Sequence, residues 1–227
     1  MRILVIGFGR SGTSLLRRLI QAHPNVQKMY HETGLMGRSN WKGMLRKSGI
    51  NLKGNWGEKI PFYFRRPKKG GFTGTILDYC KEWNRRFLPE ARIIFIVRHP
   101  LDVAISAGKR WAKSAPRALR KQVSVLPMMI GGAQKLPNVM FVKYEDLLLD
   151  TEGSLGRVYK FCKLDPSYAS KGLNEDRTRF GTGEKNFLKP QRAFAYKQES
   201  KLPKVKFKEL LKLLNTIEGT NYEGGSS

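Results

Sequence analysis

The feature that most narrows the fold is short. An apolar run, Ile3–Ile6, breaks directly into Gly7-Phe-Gly-Arg-Ser-Gly-Thr-Ser14, and a helical pattern over Thr13–Ala22 follows at once. A buried strand that turns through glycines into a helix gathers backbone N–H groups and the positive end of the helix dipole around one point, which makes an oxyanion cradle. Such a turn belongs at the carboxyl edge of a parallel sheet. Two further apolar runs, Ile93–Val97 and Val139–Val142, read as buried parallel strands. Helical spacing recurs at Ile76–Phe87, Leu101–Trp111, Pro116–Gln134, Leu155–Cys162 and Lys206–Ile217. The alternation predicts an α/β fold: a mainly parallel central sheet with helices on both faces.

At 227 residues the chain suits a single domain, residues 1–218, with residues 219–227 as a disordered tail. The stretches 38–71 and 172–203 are rich in Gly, Pro, Lys and Arg without clean periodicity, which predicts long loops or short elements on the ligand side of the sheet. Cys80 and Cys162 sit in helical patterns without metal-ligand spacing, so buried reduced thiols are expected. The first strand begins at Arg2, which leaves no room for a signal peptide, and no apolar run approaches the roughly 20 residues of a membrane span. A cytoplasmic protein without membrane attachment is the expectation. The formal charge of +25 calls for an anionic partner without choosing among nucleic acid, membrane surface, polyanionic acceptor and phosphorylated cofactor, and a merely basic surface is its rival.

The loop itself discriminates among anions. The common nucleoside-triphosphate pattern is G-x-x-x-x-G-K-[ST]; Gly7 and Gly12 fit it, but Thr13 stands in the lysine position. The second long strand ends in Arg98 where a magnesium-binding acid is wanted, so metal-assisted phosphoryl transfer is disfavoured and no metal is expected. A sulfonate in transfer carries one negative charge, and protein donors such as Arg10 suffice to stabilise it. Gly7, Gly9 and Gly12 also fit the dinucleotide pattern G-x-G-x-x-G, with Glu32 near the distance of the ribose-binding acid. His23-Pro24-Asn25 and Gly34 leave no strand expected before Glu32, which argues against that reading.

Four ordered blocks resemble the sulfotransferases that use 3′-phosphoadenylylsulfate (PAPS). Gly9-Arg-Ser-Gly-Thr-Ser-Leu-Leu16 looks like their 5′-phosphosulfate loop in the arginine version of tyrosylprotein and bacterial enzymes, with glycine where proline commonly precedes the arginine. Ala22-His-Pro-Asn-Val26 with Glu32-Thr33, and Lys59-Ile-Pro61, are similar to the segments that follow it. Ile96-Val-Arg-His-Pro-Leu-Asp-Val-Ala-Ile-Ser106 looks like the 3′-phosphate motif, and Tyr144-Glu-Asp-Leu147 is the fourth block. The resemblance spans residues 2–150. It implies a P-loop-like sulfotransferase architecture, PAPS as donor and PAP as product. It assigns Gly9, Arg10, Ser11, Gly12, Thr13 and Ser14 to the 5′ end, and Arg98 and Ser106 to the 3′-phosphate. By analogy with the family's nucleotide-closing loops, Lys185, Lys189 and Arg192 reach the cofactor.

The residues also have a physical reading. Arg98 at a strand end offers a fork for a phosphate, and Ser106 lies two helical turns further on; the rival is a structural ion pair. Lys59 is the expected transition-state cation, donating to the oxygen that gains charge as the S–O bond breaks; the rival is a solvated lysine in a basic loop. Glu32 is the expected base for the acceptor hydroxyl, with His31 as its rival. His23 and His99 suit turn and helix-start roles. Residues 38–69 hold ten Lys or Arg and one acid, Glu58, interleaved with Trp41, Trp56, Phe62, Tyr63 and Phe64. That mix suits a hydroxyl acceptor borne on an acidic peptide or anionic glycan, or single-stranded nucleic acid, or a solvated basic face with core aromatics. Sulfation leads; a nucleotide or small-molecule kinase and a basic nucleic-acid module are the alternatives. No helix-turn-helix, zinc or RNP signature is present, so no specific nucleic acid is expected.

Overall fold

The computed structural model describes residues 1–62, 75–111, 114–170, 190–199, 203, 205–219 and 221–222. Seven consecutive buried residues form β1 (Arg2–Phe8), and the equally buried β4 (Ala91–Val97) pairs with it in parallel. On the other side of β1 lies β3 (Asn55–Phe62), followed by β2 (Val26–His31), while β5 (Val139–Lys143) flanks β4. The order is β2-β3-β1-β4-β5, with every pair parallel. All the strands therefore present their carboxyl ends along one edge.

Because strand residues alternate between faces, β1 feeds two cores. Leu4, Ile6 and Phe8 join Ile93, Phe95 and Val97 under α3 (Ile76–Phe87), α5 (Ala115–Gln134) and α8 (Lys208–Asn215). Ile3 and Val5 join Ile94 and Ile96 under α1 (Thr13–Ala22), α6 (Tyr144–Leu149) and α7 (Thr151–Phe161). Two more helices, α2 (Trp41–Lys47) and α4 (Pro100–Trp111), follow β2 and β4. The expected sheet with helices on both faces is what forms. Cys80 and Cys162 are buried free thiols, both pushed up in pKa by desolvation, Cys162 to about 12. Among the described residues no helix is long and apolar enough to cross a membrane.

Three expectations need correction. A strand does precede Glu32: β2, with residues Val-Gln-Lys-Met-Tyr-His, is an edge strand whose Gln27, Lys28 and His31 are exposed, so it lacks an apolar run. The stretch 38–71 holds more than long loops or short elements on the ligand side, since the eight-residue β3 lies within it next to β1; its residues 63–71 lie outside the described part. The β3 sequence Asn-Trp-Gly-Glu-Lys-Ile-Pro-Phe hides a central strand behind Gly57, Pro61 and the buried charges Glu58 and Lys59. The tail expected from residue 219 includes Tyr222, which is 3% exposed and exchanges hydrogen bonds with the Asn215 side chain; residues 220 and 223–227 lie outside the described part.

Glycine is required where β1 ends. A Cβ on Gly7 would lie 2.6 Å from the Ile96 carbonyl oxygen. Gly12 combines φ 98° with a Tyr144 ring carbon 2.3 Å from where a Cβ would stand. Gly49 also has positive φ, 71°, but a Cβ there meets nothing within 4 Å. Gly12→Ala should therefore cost roughly 2–4 kcal/mol in urea denaturation, from backbone strain plus overpacking, against about 1 kcal/mol for Gly49→Ala. Equal losses would show that the Tyr144 contact carries no energy.

Candidate functional site

The β1–α1 loop leaves the sheet under close control. Gly9 N–H donates to the Phe62 carbonyl at 3.0 Å and Ser11 N–H to the Phe8 carbonyl at 2.9 Å. Arg10 holds φ 79°, a conformation costly for a residue with a side chain and often retained at functional sites. Its Nε donates to Ser106 Oγ on α4 at 3.0 Å. The loop arginine thus lies toward the β4 side of the edge.

Arg98 closes the same corner. Its guanidinium is 10% exposed, stands 3.6 Å from the Asp102 carboxylate, and stacks with Cζ 4.3 Å from the centre of the Tyr144 ring. Nη2 donates to the Arg192 carbonyl at 3.2 Å, and Nη1 approaches the Arg10 carbonyl at 3.4 Å. Nε is buried without a hydrogen-bond partner among the described residues. A buried charged donor left unpaired is costly, and an anion placed beside it would relieve that cost. Desolvation raises the Asp102 carboxyl although Arg98 and the Tyr196 N–H, 2.7 Å away, oppose it. The ion pair that rivalled the phosphate role of Arg98 is present and leaves donor capacity over.

The other half of the edge is charged too. Lys59, 2% exposed on β3, donates to Glu32 Oε1 at 2.8 Å, and Glu32 N–H donates to the Lys59 carbonyl at 2.9 Å. Lys59 is thus a buried strand residue, not a solvated loop lysine. Glu32 itself has φ 53°. His31 Nε2 lies 3.8 Å from the same Glu32 oxygen, on a side chain 57% exposed. Desolvation, with Lys59 second, lowers its pKa.

Two buried carboxyls hold this machinery. Glu58 points to the opposite face from Lys59 and accepts hydrogen bonds from Thr33 Oγ1, Gly34 N–H, Leu35 N–H and the Tyr79 hydroxyl. It fixes the turn that follows Glu32. Glu145 accepts from His99 N–H at 3.0 Å and the Tyr222 hydroxyl at 2.7 Å, bracing the residue next to Arg98. Tyr196 stacks on the His99 ring at 4.0 Å. The His23 and His99 ring nitrogens accept from the Asn25 and Leu101 N–H groups, in the turn and helix-start roles expected of them.

One cavity of about 720 Å³ joins the two halves. Arg10, Gly12, Thr13, Ser14, His31, Glu32, Lys59, Arg98, Ser106 and Arg192 all line it. Gly9 and Ser11 belong to the loop without lining it, Ser11 being 2% exposed; Lys185 and Lys189 lie outside the described residues. Sequence reasoning missed Asp102, Arg110 and Tyr144 as cavity walls. The first two were available from spacing: 102, 106 and 110 step four residues at a time along one face of α4, in line with Arg98 four residues before it. Trp56 and Phe62 are buried core aromatics, so they offer no stacking platform for nucleic-acid bases.

A sequence model of the sulfotransferase family matches residues 81–168. The sulfotransferase domain from the curacin biosynthetic pathway superposes with a TM-score of 0.65 at 15% identity, covering 95% of this chain and 97% of its own. The sulfotransferase domain of the Synechococcus PCC 7002 olefin synthase gives 0.57 at 18% identity, over 95% and 94%. A mouse sulfotransferase complexed with PAP gives 0.50 at 17%, over 76% and 62%. No curated protein matches the sequence significantly. The resemblance to sulfotransferases read from the four blocks is borne out, and the fold is theirs.

Burial pushes the Glu145 carboxyl from an ordinary 4.5 up to about 7, against the two donors it accepts from. Between those values the folded protein keeps a proton that the unfolded chain has released, so Glu145 makes stability fall as pH rises through that window. Glu145→Gln removes this titration. Relative to wild type, the variant should gain on the order of 2–3 kcal/mol between pH 4.5 and 7 in urea denaturation. Parallel curves would mean that the carboxyl titrates normally.

Proposed function

We propose that this chain is a sulfotransferase that takes a sulfonate from PAPS and gives it to an acceptor hydroxyl, of a tyrosine, a carbohydrate or a small alcohol. The observation that carries the reading is the single cavity with a glycine-loop anion cradle at β1, a buried arginine with a spare donor at β4, and a lysine–glutamate pair at β2 and β3. Neighbouring strands lie about 4.8 Å apart, so these features spread over roughly 15 Å, the scale of one bisphosphorylated nucleotide and its reacting group. Gly12, Thr13 and Ser14 would hold the 5′ end, and Arg98 with Ser106 the 3′-phosphate. PAPS supplies the activated sulfonate when bound.

The chain's residues divide the remaining work. Lys59 donates to the oxygen that bridged phosphorus and sulfur as that oxygen gains charge. Glu32 takes the proton of the acceptor hydroxyl while the hydroxyl oxygen bonds to sulfur. Their mutual hydrogen bond sets base and cation side by side, within reach of the entering and leaving oxygens that flank one sulfur in an in-line displacement. Arg10, paired with Ser106, needs only a side-chain rotation to bring its charge from the β4 side to the sulfonate. His31 is the second candidate base; its exposure and distance make it the weaker one. The kinase reading lacks the loop lysine, and a dinucleotide reading, although β2 now supplies the strand before Glu32, leaves Arg98 and Ser106 without a role.

Thermal unfolding with PAP, ADP, ATP and NAD tests the site directly, because a ligand that binds only the native state raises the melting temperature. PAP should give the largest shift, and Arg98→Ala should abolish its advantage over ADP. Equal shifts with ADP in the wild type would refute a 3′-phosphate pocket. Lys59→Ala should lower kcat by about 10² or more while leaving the PAP shift in place. Magnesium-stimulated ATP hydrolysis would favour the kinase instead.

A further inference from the structure

Beside the acceptor end of the cavity lies a surface of one sign. Between residues 33 and 57 the exposed charged side chains are Arg38, Lys42, Arg46, Lys47 and Lys53, and the single acid, Glu58, follows in β3 at 0% exposure. None of the five forms an ion pair with a described residue. Elsewhere some exposed cations are matched, Arg85 with Glu82, Lys109 with Glu199 and Lys212 with Glu209, while others, such as Arg120, Lys135 and Lys160, form no ion pair with a described residue but stand scattered over separate helices and turns. Five unmatched cations on a short stretch repel one another, and that cost is offset when a polyanion settles on them.

The surface is also concave. A groove of about 590 Å³ runs between the turn after Gly34 and α2, with Arg38 and Lys47 as its cations and Ser39, Asn40 and Ser48 as neutral hydrogen-bonding groups. It is tied to the reaction centre. Arg38 Nε donates to the Thr33 carbonyl at 3.0 Å, and Thr33 follows Glu32 and hangs from Glu58. Six residues separate Arg38 from Glu32, a span of at most about 20 Å even when fully extended. A hydroxyl at Glu32 and a charge in the groove can belong to one extended molecule.

We infer that this groove is the docking site of an anionic glycan, a linear saccharide bearing carboxylates or sulfates, one of whose hydroxyls is presented to Glu32. Two cations meet the acidic substituents, while two hydroxyls and an amide meet neutral sugar hydroxyls, which an acidic peptide does not offer in that density. The inference deepens the proposed sulfotransferase reading and rests on it for the chemistry, but binding is measurable without turnover.

The test follows the fluorescence polarisation of a labelled unsulfated chondroitin octasaccharide on the full chain, with poly-glutamate of equal charge as competitor. Arg38→Ala combined with Lys47→Ala should weaken octasaccharide binding about tenfold or more, as expected for losing charge-assisted hydrogen bonds. Arg120→Ala with Lys160→Ala, which removes the same charge from exposed helix faces, should change it less than about twofold. The groove variant should keep its PAP thermal shift and its unfolding midpoint in urea. Undiminished binding by the groove variant, or an equal loss in the control pair, would overturn the site. Poly-glutamate competing as strongly as unlabelled octasaccharide would overturn the glycan. Absence of any PAP shift would defeat the sulfotransferase reading while leaving the binding result to stand or fall alone.

Discussion

The site depends on β1 being hydrogen-bonded on both sides at once. Its parallel registers with β3 and β4 put Gly7 between Pro61 and Ile96, so the chain leaves the sheet at its centre. From there the loop turns through Arg10 and Gly12 with no freedom to wander, because the Ile96 carbonyl and the Tyr144 ring occupy the space where a Cβ would go. Neighbouring strands end at the same level, which is why Lys59 and Arg98, thirty-nine residues apart, face one cavity. The anion cradle is a property of the sheet more than of the loop sequence.

Charge is handled differently on the two sides of that edge. Lys59 and Glu32 neutralise each other within a hydrogen bond, whereas Arg98 faces a carboxyl, Asp102, that burial pulls toward its neutral form. The first arrangement suits groups that must exchange partners during a reaction. The second pairs its charges more loosely, at 3.6 Å, and leaves Arg98 Nε without a hydrogen-bond partner among the described residues. Behind both, Glu58 and Glu145 act as hydrogen-bond acceptors, pinning one turn each.

Much of this was legible from sequence. Ile3–Ile6 and Ile93–Val97 announce themselves because strands covered on both faces are apolar throughout, and the loop after the first carries the glycines its backbone needs. Arg98 and Ser106 follow from a strand end and helical spacing. What escaped was whatever function had disguised. β3 carries Glu58, Lys59 and Pro61 in place of aliphatics, so its pattern reads as loop, and β2 is an edge strand with polar residues outward. Tyr222 was invisible for another reason. Its glycine- and serine-rich surroundings resemble a tail, and only its long-range bond to Glu145 shows that it is core.

That bond has a bearing on how the protein is made. Glu145 and His99 are synthesised well before Tyr222, so during translation the corner around Arg98 emerges without its last brace. The glycine loop, the two central strands and the Lys59–Glu32 pair can all assemble from the first hundred residues, yet the corner beside Arg98 must wait until Tyr222 has emerged. The order in which the chain emerges therefore leaves this corner braced later than the glycine loop it stands beside.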